Sequence, residues 1–243
     1  MIQLFNEDCI ETMKRIPDGS IDLMLTDIPY GTTQNEWDIL PDLSVIWFEW
    51  ERILKSNGAW IFTAQQPVSS RLVVSRVGFF RYEWIWEKVQ GTGHLNANRM
   101  PLKIHENILI FYRMLPTYNP QKIKGKKRTV KRNGEAAKTT NYGKFTEISK
   151  SEYDDYMPTD IIKFDRDSEQ IHPTQKPVDL FRYLIKTYSN EGDTVFDGYT
   201  GSGTTAIACI KEKRNFIGSE LNKEYFDKAM QRIRIEQMQP SLF

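Results

Sequence analysis

The stretch Val195-Phe196-Asp197-Gly198-Tyr199-Thr200-Gly201-Ser202-Gly203-Thr204-Thr205 decides how this chain folds. A short apolar run ends in an acid, two closely spaced glycines follow, and a helical pattern begins. Glycine lets the backbone turn sharply and leaves room for a ligand beside it, so the stretch reads as strand, turn and helix of an α/β nucleotide-type site. It matches neither the Gly-x-Gly-x-x-Gly fingerprint nor the phosphate loop. Ala206 stands where a third glycine would be, and Thr204 rather than lysine follows Gly203. Taken alone, the glycines could equally close a tight turn and nothing more. A second apolar run over 215–219 ends at Glu220, seventeen positions after Gly203. A carboxylate at that strand tip is where such folds grip ribose hydroxyls, so the pair points to an adenosine-containing ligand.

Working outward, the C-terminal third reads as a helix over 178–188, a strand over 194–197, a helix over 203–211, a strand over 215–219 and a helix over 223–235. Upstream, 2–5 and 21–26 read as buried strands, with a short helix over 11–16 closed by the breaker cluster Pro17-Asp18-Gly19. Leu43, Ile46, Trp47, Trp50, Ile53 and Leu54 recur at helical spacing, which predicts a helix over 42–55. A strand over 59–63, a helix over 68–77 and strands over 82–87 and 106–112 follow. This alternation predicts an α/β fold, a doubly wound and mostly parallel sheet with helices on both faces. Between 115 and 170 the periodicity fades, and only 161–164 looks like a strand. So long an irregular stretch inside a compact domain is usually functional.

The 243 residues are enough for one sizeable core. The first residues lack a basic segment followed by an apolar stretch, and no apolar run reaches the ~18–20 residues that span a bilayer, so the expectation is a cytoplasmic protein without a membrane partner. Cys9 and Cys209 are the only cysteines and, so far apart, read as free thiols. His94, His105 and His172 stand alone, which leaves no metal site to predict. The net charge of +1 conceals a basic run of Lys122, Lys124, Lys126, Lys127, Arg128, Lys131, Arg132 and Lys138, followed by an acid-rich stretch from Glu147 to Glu169. Such a run is either a nucleic-acid contact or a solvated loop.

One further motif, Asp27-Ile28-Pro29-Tyr30, stands directly after an apolar strand, at the carboxyl end where open α/β sheets place their chemistry. Together with the glycine turn it resembles the amino-methyltransferases of DNA, whose Asp-Pro-Pro-Tyr and glycine motifs share one sheet. Here the Asp-Ile-Pro-Tyr half comes first, which is similar to the circularly permuted β group. His172-Pro173-Thr174-Gln175-Lys176-Pro177 is similar to the segment before the glycine motif in that group, and Asn6-Glu7-Asp8 to its adenine-contacting acidic turn. The resemblance covers nearly the whole chain apart from the irregular middle.

The resemblance implies a Rossmann-like methyltransferase fold with three parts: a catalytic half at 1–114, an inserted target-recognition region at 115–170 and a cofactor-binding half at 171–243. It implies transfer of a methyl group from S-adenosylmethionine to adenine N6 in double-stranded DNA, the base being flipped out of the helix. Asp27, Ile28, Pro29 and Tyr30 would form the catalytic site. Asp8, Thr174, Lys176, Asp197, Gly201, Gly203, Thr204 and Glu220 would surround the cofactor. Lys122, Lys124, Lys126, Lys127, Arg128, Lys131 and Arg132 would meet DNA phosphates. The chemistry suits those residue types: an amine conjugated to a base ring is a poor nucleophile, and a carboxylate hydrogen-bonded to it draws electron density toward the lone pair. Two departures stand out. Ile28 replaces the first proline of the motif, and Gly198-Tyr199 replaces the more usual Pro-Phe after the acid of the glycine motif. Cytosine N4 is the alternative acceptor, and a non-catalytic homologue that binds cofactor or DNA is a reading from another class. The resemblance also raises two further partners, a second copy of the chain and a restriction endonuclease counterpart.

Overall fold

In the computed structural model, residues 1–31, 38–132, 149–168, 171 and 175–238 are described. The chain divides into two compact units, Met1–Asn119 with Asp160–Phe243, and Pro120–Thr159.

The first unit is built on an eight-stranded sheet. Its strands are β1 (Ile2–Phe5), β2 (Ile21–Thr26), β3 (Leu54–Ala64), β4 (Phe80–Thr92), β5 (Lys103–Phe111), β8 (Ile161–Lys163), β9 (Thr194–Asp197) and β10 (Asn215–Ser219). Their spatial order is β1-β10-β9-β2-β3-β5-β4-β8. Neighbours from β1 to β3 run parallel, β5 lies antiparallel to both β3 and β4, and β8 is parallel to β4. Its α-helices among the described residues are α1 (Cys9–Lys14), α2 (Leu43–Ile53), α3 (Val68–Ser75), α4 (Val178–Tyr188), α5 (Thr204–Lys211) and α6 (Lys223–Met238).

Alternation along β3 shows why helices cover both faces. Ala59 and Ile61 pack with Leu180, Leu184, Ala206 and Ile233 from α4, α5 and α6, whereas Trp60 and Phe62 pack with Met13, Trp47, Trp50 and Leu72 from α1, α2 and α3. The sheet is thus a mostly parallel, doubly wound one, because a strand buried on both faces needs apolar residues at every position. Helix α1 starts where the Asp8 side chain accepts the Ile10 amide at 2.8 Å, and α2 where Asp42 accepts the Ser44 amide at 2.9 Å.

The strand connections fix the site. From β2 the chain winds outward to β3, and from β9 it winds the opposite way to β10, so the crevice between the carboxyl ends of β2 and β9 is the point where the winding reverses. Ligands of open α/β sheets bind at such a point.

The second unit corrects the expectation of an irregular middle. Strands β6 (Ile123–Arg132) and β7 (Ser149–Tyr156) form an antiparallel pair. No apolar alternation announces β6: lysine and arginine take six of its ten positions, and residues 123–127 and 129 are exposed. Gly125 is needed there because a Cβ would overlap the Tyr156 ring, whose hydroxyl donates to the Lys126 carbonyl at 2.7 Å. Both cysteines are buried free thiols. Among the described residues no helix is long and apolar enough to cross a membrane.

Candidate active site

Asp27 leaves the end of β2 into the crevice, and three donors converge on its carboxylate. Oδ1 accepts from the Tyr30 hydroxyl at 2.8 Å and from Thr63 Oγ1, at the end of the neighbouring strand β3, at 2.5 Å. Oδ2 accepts from Lys176 Nζ at 2.6 Å. The intervening Ile28 side chain is buried in the apolar core beside α1 and α2. Behind the loop, Asp38 Oδ1 accepts the amides of Tyr30 and Gly31 at 2.7 and 2.9 Å and holds the turn. Burial, then the Asp27 charge, raises the Tyr30 phenol well above its ordinary range, so it stays protonated and donates.

The glycine turn lies beside it. The buried Asp197 carboxylate accepts from Thr26 Oγ1 at 2.7 Å, Thr205 Oγ1 at 2.5 Å and the Tyr199 amide at 3.0 Å, tying the ends of β2 and β9 to the start of α5. Burial pushes Asp197 up to about 6 against the pull of those donors. Glu220, just past β10, accepts the Gly201 and Asn222 amides, each at 2.8 Å, and burial raises its carboxyl too.

A single cavity of about 690 Å3 is lined by Asp27, Ile28, Pro29 and Tyr30 and also by Asp8, Lys176, Asp197, Gly201, Thr204 and Glu220. Its size suits a cofactor-sized molecule. Gly201, at a positive φ of +53°, leaves open space above its Cα, and two carboxylates, Asp8 and Glu220, offer acceptors for hydroxyl or amino groups. Gly203 is not among the residues that line the cavity; it caps the start of α5, and a Cβ there would lie 3.2 Å from Ala229 Cβ on α6. Cys9 also lines the cavity, but burial pushes its thiol up to about 11, so it is no nucleophile at neutral pH.

Lys176 is drawn toward both halves of the site. It pairs with Asp27 and, at 3.3 Å, with Glu106 on β5, which in turn pairs with Lys88 on β4 at 2.5 Å. Burial lowers the pKa of Lys176, but Asp27 and Glu106 together outweigh it and raise it overall. Thr63, Asp38, Glu106 and Lys88 escaped the sequence reading. The only signal was Thr63, a polar residue within the apolar run near the end of β3; Glu106 sits among Lys103, His105 and Asn107 in the polar half of β5, where nothing sets it apart.

Thr174 lies outside the described residues. In the second unit Lys122 pairs with Asp155 at 2.8 Å and Lys124 with Asp154 at 3.2 Å, so the acid-rich stretch partly neutralises the basic run across the hairpin. Lys126 and Lys127 are exposed, and Arg128, Lys131 and Arg132 lie on β6.

Comparison with known proteins follows the same lines. A family model described as DNA methylase matches residues 21–231. The type II methyltransferase M.HpaI of Haemophilus parainfluenzae is 29% identical over 251 residues, covering 96% of this chain and 74% of that protein. The DNA adenine methyltransferase YhdJ of Escherichia coli is 27% identical over 260 residues, covering 96% of this chain and 82% of that one. Among solved structures, an M1.HpyAVI–SAM complex superposes with a TM-score of 0.64 at 23% identity, covering 96% of this chain and all of the other.

Proposed function

The chain belongs to the DNA methylase family, and from that premise we propose that it methylates adenine N6 in double-stranded DNA at a base turned out of the helix, with S-adenosylmethionine as donor. One observation carries the reading: a single cavity is lined both by the Asp27–Tyr30 motif and by the glycine turn with Glu220.

S-adenosylmethionine, when bound, supplies an electrophilic methyl group on a sulfonium. Asp8 and Glu220 would hold its adenosine hydroxyl and amino groups, and Gly201, Thr204 and the start of α5 its remaining polar end. Asp27 accepts a hydrogen from the base's exocyclic amine and raises the electron density on nitrogen. The Ile28 carbonyl is the second acceptor, and the Tyr30 ring supports the flat base. The methyl group would pass to that nitrogen with its former bonding pair left on sulfur, and Asp27 would take up the nitrogen's surplus proton along their hydrogen bond. With both thiols held protonated by burial, no covalent adduct through cysteine is required.

The choice of adenine rests on the acid at position 27, where cytosine-specific relatives usually carry serine. The second unit, with Lys126 exposed, is proposed to meet phosphates in target recognition. The type II relative motivates a restriction endonuclease counterpart of the same specificity, and a homodimer belongs to the same proposal.

Tritiated S-adenosylmethionine is incubated with the protein and DNA from a methylation-deficient host, and the DNA is digested to nucleosides. Label in N6-methyldeoxyadenosine is the expected result. Label confined to N4-methylcytosine would overturn the base assignment, and cofactor binding without any transfer would overturn the catalytic reading.

A further inference from the structure

The carboxylate that should grip the base amine is already crowded. A carboxylate offers about four lone-pair sites, and Asp27 uses three of them on Tyr30, Thr63 and Lys176. The Lys176 contact matters most, because an ammonium at 2.6 Å withdraws the very charge that should polarise the amine. A second seat for that ammonium stands beside it. Glu106 Oε2 is 3.3 Å from the same Nζ and, among the described residues, makes no hydrogen bond, whereas Oε1 is held by Lys88 at 2.5 Å and Gln65 at 2.9 Å.

We propose that Lys176 is a latch handed between two carboxylates: it sits on Asp27 while the pocket waits and moves to Glu106 Oε2 when the base amine arrives. Glu106 and Lys88 are then positioning residues that prepare the second seat. This deepens the methyltransferase reading and rests on it. The physical need follows from burial. Lys176, Glu106 and Lys88 are 6%, 5% and 3% exposed, and a buried ammonium cannot leave one carboxylate unless another receives it. The four charges also sum to zero in either position of the latch, so the hand-off strands no ion. Strand pairing makes the seat rigid: Glu106 lies opposite Trp86 on β4, two residues before Lys88.

A purely structural network would contribute to stability and leave turnover untouched, so the test separates the two. Glu106→Gln removes the seat but leaves an excess buried cation. Lys88→Met with Glu106→Gln removes the seat and keeps the charges balanced, so it guards against misfolding. Steady-state methylation of unmethylated DNA is measured with thermal melting and calorimetric titration of S-adenosylmethionine. Both variants should lose about 10- to 100-fold in kcat, the range typical of outer partners of an active-site group. KM for DNA and cofactor affinity should stay near wild type, and Glu106→Asp should recover part of the rate. Wild-type turnover in a double variant that melts normally would overturn the latch, as would equal loss of kcat and cofactor affinity. If the wild-type chain itself transfers no label, the methyltransferase reading fails first and the latch with it.

Discussion

Gly201 and Gly203 occupy the same turn, both at positive φ, +53° and +82°, yet their surroundings predict different failures on replacement by alanine. Forcing an L side chain into the left-handed region costs about 1–2 kcal/mol at either position. At Gly201 that is the whole cost to the fold, because the nearest atom to an added Cβ is the Tyr199 carbonyl oxygen at 4.0 Å. At Gly203 the Cβ meets Ala229 at 3.2 Å from its Cβ and 3.4 Å from its Cα, so α6 must shift. Over-packing of that kind adds about 1 kcal/mol or more. At roughly 2–4 °C per kcal/mol for a chain of this size, Gly203→Ala should melt about 4–12 °C below wild type and Gly201→Ala about 2–8 °C below it, with Gly203→Ala the lower of the two. Cofactor affinity should fall in the opposite order, since Gly201 lines the cavity and Gly203 does not. Differential scanning calorimetry and titration calorimetry read both quantities. Adding Ala229→Gly to Gly203→Ala should restore the crowding part and leave the conformational part. A Gly203→Ala protein that melts above Gly201→Ala, or binds cofactor more weakly than it does, would refute the reasoning.

Asp27→Asn should lower transfer by about 100-fold or more while cofactor affinity holds, because the amide would turn a donor toward Lys176 or Thr63 and offer the amine a weaker acceptor; single-turnover labelling checks it. Asp197 carries a pH signature. Its pKa rises by burial from 3.8 to about 6, so between those values the folded state binds more protons than the unfolded one, and stability falls as pH climbs through the window. Urea unfolding at pH 4.5 and 7 should show that slope in wild type and a flatter one in Asp197→Asn. In the hairpin, Lys126→Glu should weaken DNA binding and its salt dependence more than Lys124→Glu, because Lys124 is already paired with Asp154. Fluorescence anisotropy across a salt series measures both slopes, and equal effects would count against a phosphate-contacting face.

The parts of the fold most legible in the sequence are those with apolar runs. The runs at Ile2–Phe5, Ile21–Thr26, Thr194–Asp197 and Asn215–Ser219 have the same bounds in the structure, as does the helix Val178–Tyr188. Strands β2, β9 and β10 are apolar because helices cover both faces of the sheet, while β1 at its edge packs Ile2 and Leu4 against the core and exposes Gln3. The sequence pattern predicts β4 only over 82–87, but it runs from Phe80 to Thr92, since its last residues pair with β5 beyond the core, where polar and apolar side chains are equally tolerated. Strand β6 does not declare itself in the sequence, because backbone pairing with β7 sustains a segment in which six of ten residues are lysine or arginine. The site follows the same division. Asp27–Tyr30 and Asp197–Thr205 are contiguous, so they declare themselves as motifs. Thr63, Glu106 and Lys88 arrive singly from three strands, Thr63 to Asp27 itself and the other two to Lys176 and its partner, and only the sheet register brings them there.

That register also explains why the two motifs can cooperate across so much sequence. Strands β2 and β9 pair directly, Leu23 with Val195 and Met24 with Phe196, so Asp27 and Asp197 leave adjacent strand ends. Thr26 Oγ1 then clips the two ends together through Asp197 at 2.7 Å, and Thr205 carries the same carboxylate to α5 at 2.5 Å. Alignment of a donor methyl with an amine tolerates errors well below 1 Å, and groups mounted on strand ends hold position better than groups on loops. Mobility is therefore best confined to one side chain that can exchange partners without moving backbone. Lys176, reaching Asp27 from one side and Glu106 from the other, is placed to be that side chain.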